Sequence, residues 1–162
     1  MIQYRKLRRN DIQQVQVVAL KAWRYTYRHI YKLSTINKYV TEYYSNESFK
    51  EFTLPRIRKG DDVFYLALDG RRVIGYSHVG ERIQRWELFR IYLLPEFVGK
   101  VIGKKLLHLG ERFLRRKGAR SYYLYVHARN SLGRQFHLRN GFERVKEKDR
   151  GPTSQCLQKR LD

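Results

Sequence analysis

A chain of 162 residues that is 42% hydrophobic can bury a sizeable core, so the composition excludes a disordered polypeptide. Lys and Arg total 35 against 15 Asp and Glu, which gives a formal net charge of +20 and a field that favours anions over cationic ligands. The single cysteine, Cys156, excludes an internal disulfide and a multi-cysteine metal site. From this length and composition we expect one domain over residues 1–162. No segment has the pattern of a membrane span or a signal peptide, so we also expect a cytoplasmic protein away from membranes.

The N-terminal part of the chain predicts a strand followed by a helix. Ile2–Leu7 alternates between apolar and polar residues, which is typical of a short strand. Asn10 and Gln13 form a capping-box pair, and the apolar residues that follow recur at helical spacing. We therefore expect a first helix that ends at about Tyr27.

The stretch after this helix is rich in tyrosine and predicts two more helices. Ser34 or Thr35 is a suitable cap for a helix that reaches Tyr44. Asn46 is a suitable cap for the next one, which Pro55 would interrupt or end. Tyrosines beside helix junctions usually pack as amphipathic spacers, so we expect most of them to be structural and one or two to line a pocket.

The middle of the chain changes to strands. Val63–Leu68 and Val73–Val79 flank an Asp69-Gly70 turn, which predicts a hairpin. Trp86–Leu94 is almost continuously apolar and is stopped by a proline, which favours a strand buried on both faces. Three consecutive strands are therefore expected in this part of the chain.

A helix with glycines around its start follows these strands. Apolar residues over Val101–Lys117 recur at helical spacing, with basic residues on the other side. Gly99 and Gly103 lie where the chain leaves the sheet and opens the helix. Such a junction presents free backbone N–H groups and the positive end of a helix dipole, which suits a phosphate. A strand-loop-helix unit without a ligand is an equally open interpretation.

The C-terminal part predicts a strand, a helix and a strand pair. Ser121–His127 is an apolar run of strand length, and Arg129–Gly141 reads as a short helix that begins at Asn130 or Ser131. Phe142–Glu147 and Gln155–Arg160 then form the final pair. The whole order predicts an α/β domain with a mixed sheet.

Three segments carry a family resemblance. They are ELFRIYLLPEFVGKVIGKKLL, NSLGRQFHLRNGF and DIQQVQVVALKAWRYTYRHIY. They resemble, respectively, the acetyl-CoA pyrophosphate motif, the later helix, and the first helix with the acceptor-side loop of the GNAT superfamily of N-acetyltransferases. Within that superfamily the chain looks closest to PaiA-like enzymes, which acetylate polyamines such as spermidine. The resemblance implies an acyltransferase with a mixed, mostly antiparallel central sheet flanked by helices.

The resemblance also implies a cosubstrate and a set of contacts. Acetyl-CoA, with no metal, would place its pyrophosphate at the start of the central helix and its pantetheine along the preceding strand. The residues assigned to the cofactor are Ile91, Tyr92, Leu93, Val98, Gly99, Lys100, Val101, Ile102, Gly103, Lys104, Asn130 and Phe136. Those assigned to the acceptor are Trp23, Tyr27 and Tyr31. A deprotonated amine would attack the thioester directly, in a ternary complex.

The chain departs from the family pattern in two places. The loop usually holds Gln or Arg, then Gly, then Gly or Ala, at the positions that here are Val98, Val101 and Gly103. Backbone amides bind phosphate whatever side chain they carry, although Val101 crowds the approach. The tyrosine that commonly protonates the leaving thiolate falls on His137, which titrates near neutrality and can donate a proton. A histidine without catalytic work is an equally open interpretation.

Glu87 is the candidate general base, acting directly or through water. It is the lone carboxylate in an apolar strand, and burial there would raise its pKa towards a useful range. The alternative is a residue that forms a salt bridge with Arg85 or Arg90.

The charge of the chain leaves the acceptor open. A +20 surface repels spermidine, yet Glu42, Glu47 and Glu51, followed by Asp61 and Asp62, could form an acidic island for a polyamine or a protein amine. The arginine excess favours instead an acceptor on an anionic assembly. The alternative function is a catalytically silent GNAT-shaped module that binds nucleic acid or a nucleotide through its basic surface. A homodimer also stays open.

Overall fold

The computed structural model describes residues 1–162 and contains one seven-stranded sheet flanked by helices. The strands are β1 (Ile2–Lys6), β2 (Asp62–Asp69), β3 (Arg72–Arg82), β4 (Arg85–Leu93), β5 (Ser121–His127), β6 (Glu143–Arg144) and β7 (Ser154–Arg160). The helices are α1 (Ile12–Tyr27), α2 (Leu33–Tyr43), α3 (Asn46–Ser48), α4 (Leu54–Lys59), α5 (Ile102–Arg116) and α6 (Ser131–Arg139). None of them combines the length and the apolar composition that crossing a membrane requires.

The sheet has the strand order β1-β2-β3-β4-β5-β7-β6. All neighbouring strands are antiparallel except β4 and β5, which are parallel. The resemblance implied a mixed, mostly antiparallel sheet flanked by helices, and this prediction is confirmed.

Strand β4 differs from the prediction in its burial. Only Glu87 and Leu88 within it are buried, and its other residues are half-buried. The reason is that β4 and β5 pair at a single position, Glu87 with Tyr123, and part beyond it. The prediction of a strand buried on both faces is therefore wrong, because one edge of β4 borders an open gap.

The start of α1 also differs from the prediction. No side chain caps this helix, which begins at Ile12. The carboxylate of Asp11 instead accepts a hydrogen bond from the backbone N–H of Arg8 at 2.7 Å and pairs with Arg5, also at 2.7 Å. The predicted capping box of Asn10 and Gln13 is wrong, because the carboxylate of the buried Asp11 accepts the backbone hydrogen bond at this point and is itself paired with an arginine.

The helices after α1 lie where they were predicted, with different boundaries. Ser34 and Thr35 lie inside α2 rather than capping it. Ser45, and not the predicted Asn46, caps the next helix, since its hydroxyl accepts from a backbone N–H three residues further on at 3.0 Å. A π-helical turn then leads into α4, whose first turn contains Pro55. A proline needs no N–H partner there, so Pro55 neither interrupts nor ends the helical run.

Two clusters of buried side chains join the helices to the sheet. The first includes side chains of α1, α2, β2 and β3, with Phe49, Phe64 and Tyr76 fully buried. The second joins α5 to β5 and β7 around Leu114 and Tyr122. Because α5 also packs against β2, β3 and β4, its first turn is held beside the gap along β4.

The predicted C-terminal strand pair is present with different bounds. Its first strand, β6, contains only Glu143–Arg144, whereas β7 begins one residue earlier than predicted, at Ser154. Strand β7 lies between β6 and β5 and is antiparallel to both. A 3-10 turn at Lys146–Lys148 ends the first strand early. The helix before this pair begins as expected, because the side chain of Asn130 accepts from the N–H of Gly133 at 3.0 Å.

Candidate active site

A cleft of about 380 Å³ opens where β4 and β5 part, and we call it the β4–β5 cleft. Its walls come from β4, β5, the loop before α5, the first turn of α5, and α6. Every residue that the resemblance assigned to the cofactor lines this cleft except Ile102. Ile102 is buried in the first core cluster instead, so its side chain holds α5 against the sheet.

The start of α5 presents backbone donors to this cleft. No side chain caps the helix, and the first N–H groups of any α-helix lack partners within it. Gly99 has φ +81°, a left-handed conformation that favours glycine. A Cβ at Gly103 would stand 3.2 Å from the ring of Phe136, so the absence of a side chain lets α5 and α6 approach. With Lys100 and Lys104 in the same wall, the region suits an anion.

Val101 occupies the N-cap position of α5. Its φ of −67° and ψ of −2° are ordinary for any residue, so this turn does not require the glycine of the family pattern. The residue is 78% exposed. Valine in place of the family's glycine therefore does not strain the backbone here. That Val101 crowds a bound phosphate stays a prediction.

His137 lines the cleft from α6 and is only 6% exposed. Its ring packs edge-on against Phe136 and Phe142, and its Nδ1 has no hydrogen-bond partner. Burial lowers the pKa of His137 to about 4. The expectation that this ring titrates near neutrality is therefore wrong. The neutral imidazole still offers one N–H donor to the cleft.

A second cavity of about 300 Å³ adjoins the cleft, and we call it the aromatic pocket. All the residues that the resemblance assigned to the acceptor line it, namely Trp23, Tyr27 and Tyr31. Tyr92, which was assigned to the cofactor, lines it as well. The sequence assigned no role in a site to the other lining residues, which are Tyr39, Tyr43, Tyr44, Phe89, Arg90, Tyr125, His127, Thr153 and Ser154. The two cavities share Tyr27, Phe89, Arg90, Tyr92 and Tyr125.

The walls of the aromatic pocket are stacked rings. Trp23 lies 4.3 Å from Tyr27 and 4.2 Å from Tyr39 between ring centroids, and Tyr39 lies 4.3 Å from Tyr43. The hydroxyls of Tyr27 and Tyr92 are 2.9 Å apart, and burial raises the pKa of Tyr27 to about 12. The sequence contained one signal of this arrangement: Trp23 and Tyr27, like Tyr39 and Tyr43, are four residues apart, and aromatic residues at that spacing share a helix face.

Glu87 is buried but lines neither cavity. Its Oε1 lies 3.0 Å from Arg85 and 3.5 Å from Arg150. Arg85 in turn donates to the hydroxyl of Tyr125, which lines both cavities. Glu87 is thus connected to the cavities through Arg85 and Tyr125, and it makes no direct contact with either space.

Neither cavity is lined by a carboxylate. The glutamates of the predicted acidic island, Glu42, Glu47 and Glu51, are exposed and line neither cavity. Asp62 is fully buried and lies 2.9 Å from His78, inside the core. The island therefore does not form part of the pocket. No group of three or more His, Cys, Asp or Glu side chains is arranged to hold a metal ion.

Two adjoining cavities, one of them with a helix start suited to phosphate, fit a transferase that binds two substrates together. Residues 24–142 match the Acetyltransferase (GNAT) family. The chain therefore belongs to this family of acetyl-CoA-dependent N-acetyltransferases.

Acetyltransferases from two organisms are similar to this chain. The spermidine N(1)-acetyltransferase of Thermoplasma acidophilum is 35% identical over 143 residues, which are 88% of each chain. A PaiA N-acetyltransferase of Thermoplasma acidophilum, solved in complex with coenzyme A, superposes with a TM-score of 0.91 at 32% identity over 99% of each chain. A GNAT-family acetyltransferase from Staphylococcus aureus superposes with a TM-score of 0.77 at 13% identity over 100% of each chain, a likeness of fold alone. The resemblance to PaiA-like enzymes is confirmed.

Proposed function

We propose that this chain transfers the acetyl group of acetyl-CoA directly to a primary amine, with acetyl-CoA in the β4–β5 cleft and the amine in the aromatic pocket. The observation that carries the proposal is the wall that the two cavities share, which consists of Tyr27, Phe89, Arg90, Tyr92 and Tyr125. Ligands held in both cavities would meet at that wall, and placing two reactants together is itself a large contribution to rate.

The residues of the cleft fit acetyl-CoA. The N–H groups at the start of α5, with Lys100 and Lys104, would hold the pyrophosphate. Along Ile91–Leu93, β4 pairs with β3 on one edge and has no partner strand on the edge that faces β5. The backbone groups on that second edge are free to pair with the pantetheine amides. The PaiA structure contains coenzyme A, which supports the choice of acetyl-CoA as the ligand. Acetyl-CoA supplies a thioester carbonyl that an amine can attack and a thiolate that leaves.

The reaction needs two proton movements. The attacking amine loses a proton as its bond to carbon forms, and the departing sulfur gains one as its bond to carbon breaks. Glu87 is the proposed base, acting through water, since it lines neither cavity. The neutral ring of His137 lines the cleft and is the proposed hydrogen-bond donor that stabilises the departing thiolate, which then takes its proton from water.

The acceptor is a primary amine. The Thermoplasma acidophilum spermidine N(1)-acetyltransferase makes spermidine the reference acceptor for a test, and a protein lysine or N-terminal amine is the second candidate. The matches to acetyltransferases over most of the chain count against a silent module that binds nucleic acid.

The experiment is calorimetric titration with acetyl-CoA, followed by an acetylation assay on an amine panel. We expect one-to-one binding that ATP, used as a control anion, does not match, and then release of free thiol with an amine. ATP is needed because a chain of net charge +20 attracts anions in general. Binding that ATP reproduces, with no acetylated amine, would contradict the proposal.

A further inference from the structure

An arginine without an anionic partner lies in the wall that the two cavities share. Arg90 lines both of them, and no carboxylate forms an ion pair with it. Its guanidinium lies over the ring of Tyr44, 4.4 Å from the centroid, and its Nη2 reaches only the carbonyl oxygen of Tyr43, at a long 3.5 Å. Its Nη1 is buried and has no hydrogen-bond partner. The charge of Arg90 is therefore uncompensated within the protein.

Trp23 provides a second buried donor in the same pocket. The residue is 9% exposed, and its indole Nε1, which can only donate, has no partner. Trp23 and Arg90 both lie near the hydroxyl of Tyr44. Burial raises the pKa of Tyr44, and the charge of Arg90, with Trp23 as a lesser cause, acts to lower it. That hydroxyl already accepts from Tyr76 at 2.9 Å. Two unsatisfied donors thus converge on one region of the aromatic pocket.

The remaining polar groups of the pocket add no negative charge. The Nδ1 of His127 accepts from the backbone N–H of Arg129 at 3.0 Å, so its neutral ring carries a proton on Nε2. Burial, with the charge of Arg129 as a lesser cause, lowers the pKa of His127 and keeps it neutral. Thr153 and Ser154 contribute hydroxyls. The pocket is rich in donors and has a single cation.

We infer that the preferred acceptor is an amine whose other end carries an anionic group, a carboxylate or a phosphate, bound by Arg90 and Trp23. This inference rests on the proposed acetyl transfer. A guanidinium matches the paired oxygens of either anion, and an anion would satisfy donors that are now buried without partners. A polyamine would instead bring a second ammonium towards Arg90, where like charges repel. The tyrosine rings would pack against the methylene groups between the two ends.

The first test compares acceptors of matched length on the wild-type protein. δ-Aminovalerate, pentylamine and cadaverine present a carboxylate, a methyl group and an ammonium at the far end of a similar chain. We expect kcat/KM to fall in that order, with at least about a tenfold difference between the first and the last. Aminopentyl phosphate distinguishes the two anions. Cadaverine or spermidine above δ-aminovalerate would overturn the inference while leaving acetyl transfer to amines intact.

The second test removes the guanidinium. Arg90→Gln should lower kcat/KM for δ-aminovalerate about tenfold and leave the value for pentylamine within about twofold. Arg112→Gln, on the exposed side of α5, removes the same unit of charge and should leave the ratio unchanged. An equal loss with both amines would show that Arg90 only supports the fold, and it would overturn the inference.

A third measurement needs no variant and guards against misfolding of Arg90→Gln. Valerate, which lacks an amine, should inhibit the wild-type enzyme competitively against δ-aminovalerate and not against acetyl-CoA. Inhibition by pentyltrimethylammonium, a cation of similar length that cannot be acetylated, with none by valerate, would overturn the inference of an anion subsite. Failure of the proposed function has a separate signature, which is that no amine, spermidine included, becomes acetylated.

Discussion

At the scale of single residues, Glu87 is held by arginines outside both cavities, and this arrangement defines its test. Glu87→Gln keeps the shape of the side chain and removes its charge. If Glu87 accepts the amine proton through water, kcat should fall about a hundredfold and its acidic limb should shift. Arg150→Gln is the matched control, since it weakens the ion pair and keeps the carboxylate. An unmoved pH profile with a lower Tm would leave Glu87 as a structural partner of Arg85.

His137 is the second residue whose surroundings change its expected chemistry. Because burial keeps its ring neutral at pH 7, it can act only as a hydrogen-bond donor to the leaving sulfur. We expect His137→Phe to lower kcat about tenfold and His137→Tyr, which restores a donor, to retain most of it. Steady-state kinetics with thiol detection measures both. Equal activity in all three proteins would remove His137 from the mechanism.

At the scale of elements, helix α5 contains two glycines that offer a matched comparison. A Cβ would stand 3.2 Å from Phe136 at Gly103 and 3.1 Å from Val79 at Gly110, but only Gly103 lines the cleft. Gly103→Val should raise the Kd for acetyl-CoA about tenfold, since overpacking costs about 1–3 kcal/mol. Gly110→Val should lower stability to a similar extent and leave this Kd unchanged. Calorimetry and thermal denaturation separate the two; equal Kd values would refute a packing role for Gly103 in the cleft.

Elements were predictable where their signal is local. The strand over Ser121–His127 has the predicted bounds, and Asn130 caps α6 as one of two expected residues. Predictions failed where a feature other than hydrophobic spacing decided the outcome. The pairing of Asp11 with Arg5 displaced the expected capping box, and the π-helical turn before α4 let the helical run pass Pro55. Neither the ion pair nor the change of helix type is visible in a hydrophobic pattern.

At the scale of the whole molecule, the buried histidine makes stability depend on pH. The pKa of His137 is about 4 in the folded state and near 6.5 when the chain is unfolded, so the unfolded state binds more protons between these values. The free energy of unfolding should therefore be highest above pH 6.5 and decline as the pH falls towards 4. This residue accounts for about 3 kcal/mol of that decline.

Urea denaturation between neutral and acidic pH checks this prediction. His137→Phe, which keeps an aromatic ring beside Phe142, should show a shallower decline than the wild type. His78 remains a second source of pH dependence in both proteins, because burial lowers its pKa to about 4 as well. Parallel pH curves for the two proteins would show that His137 does not titrate with folding.

The sequence by itself determined the family, through three segments that resemble GNAT motifs, and the order of strands and helices, through short-range features such as helical spacing and turn glycines. It also predicted many of the residues that line the β4–β5 cleft, and the binding of acetyl-CoA there stays a proposal. That residues 1–162 form a single domain stays a prediction. Only the tertiary structure decided which groups share a cavity: it gave the aromatic pocket Arg90 and no carboxylate, and it left Glu87 outside. The physical reason is that β4 and β5 part after a single pairing, which brings together residues far apart in the chain.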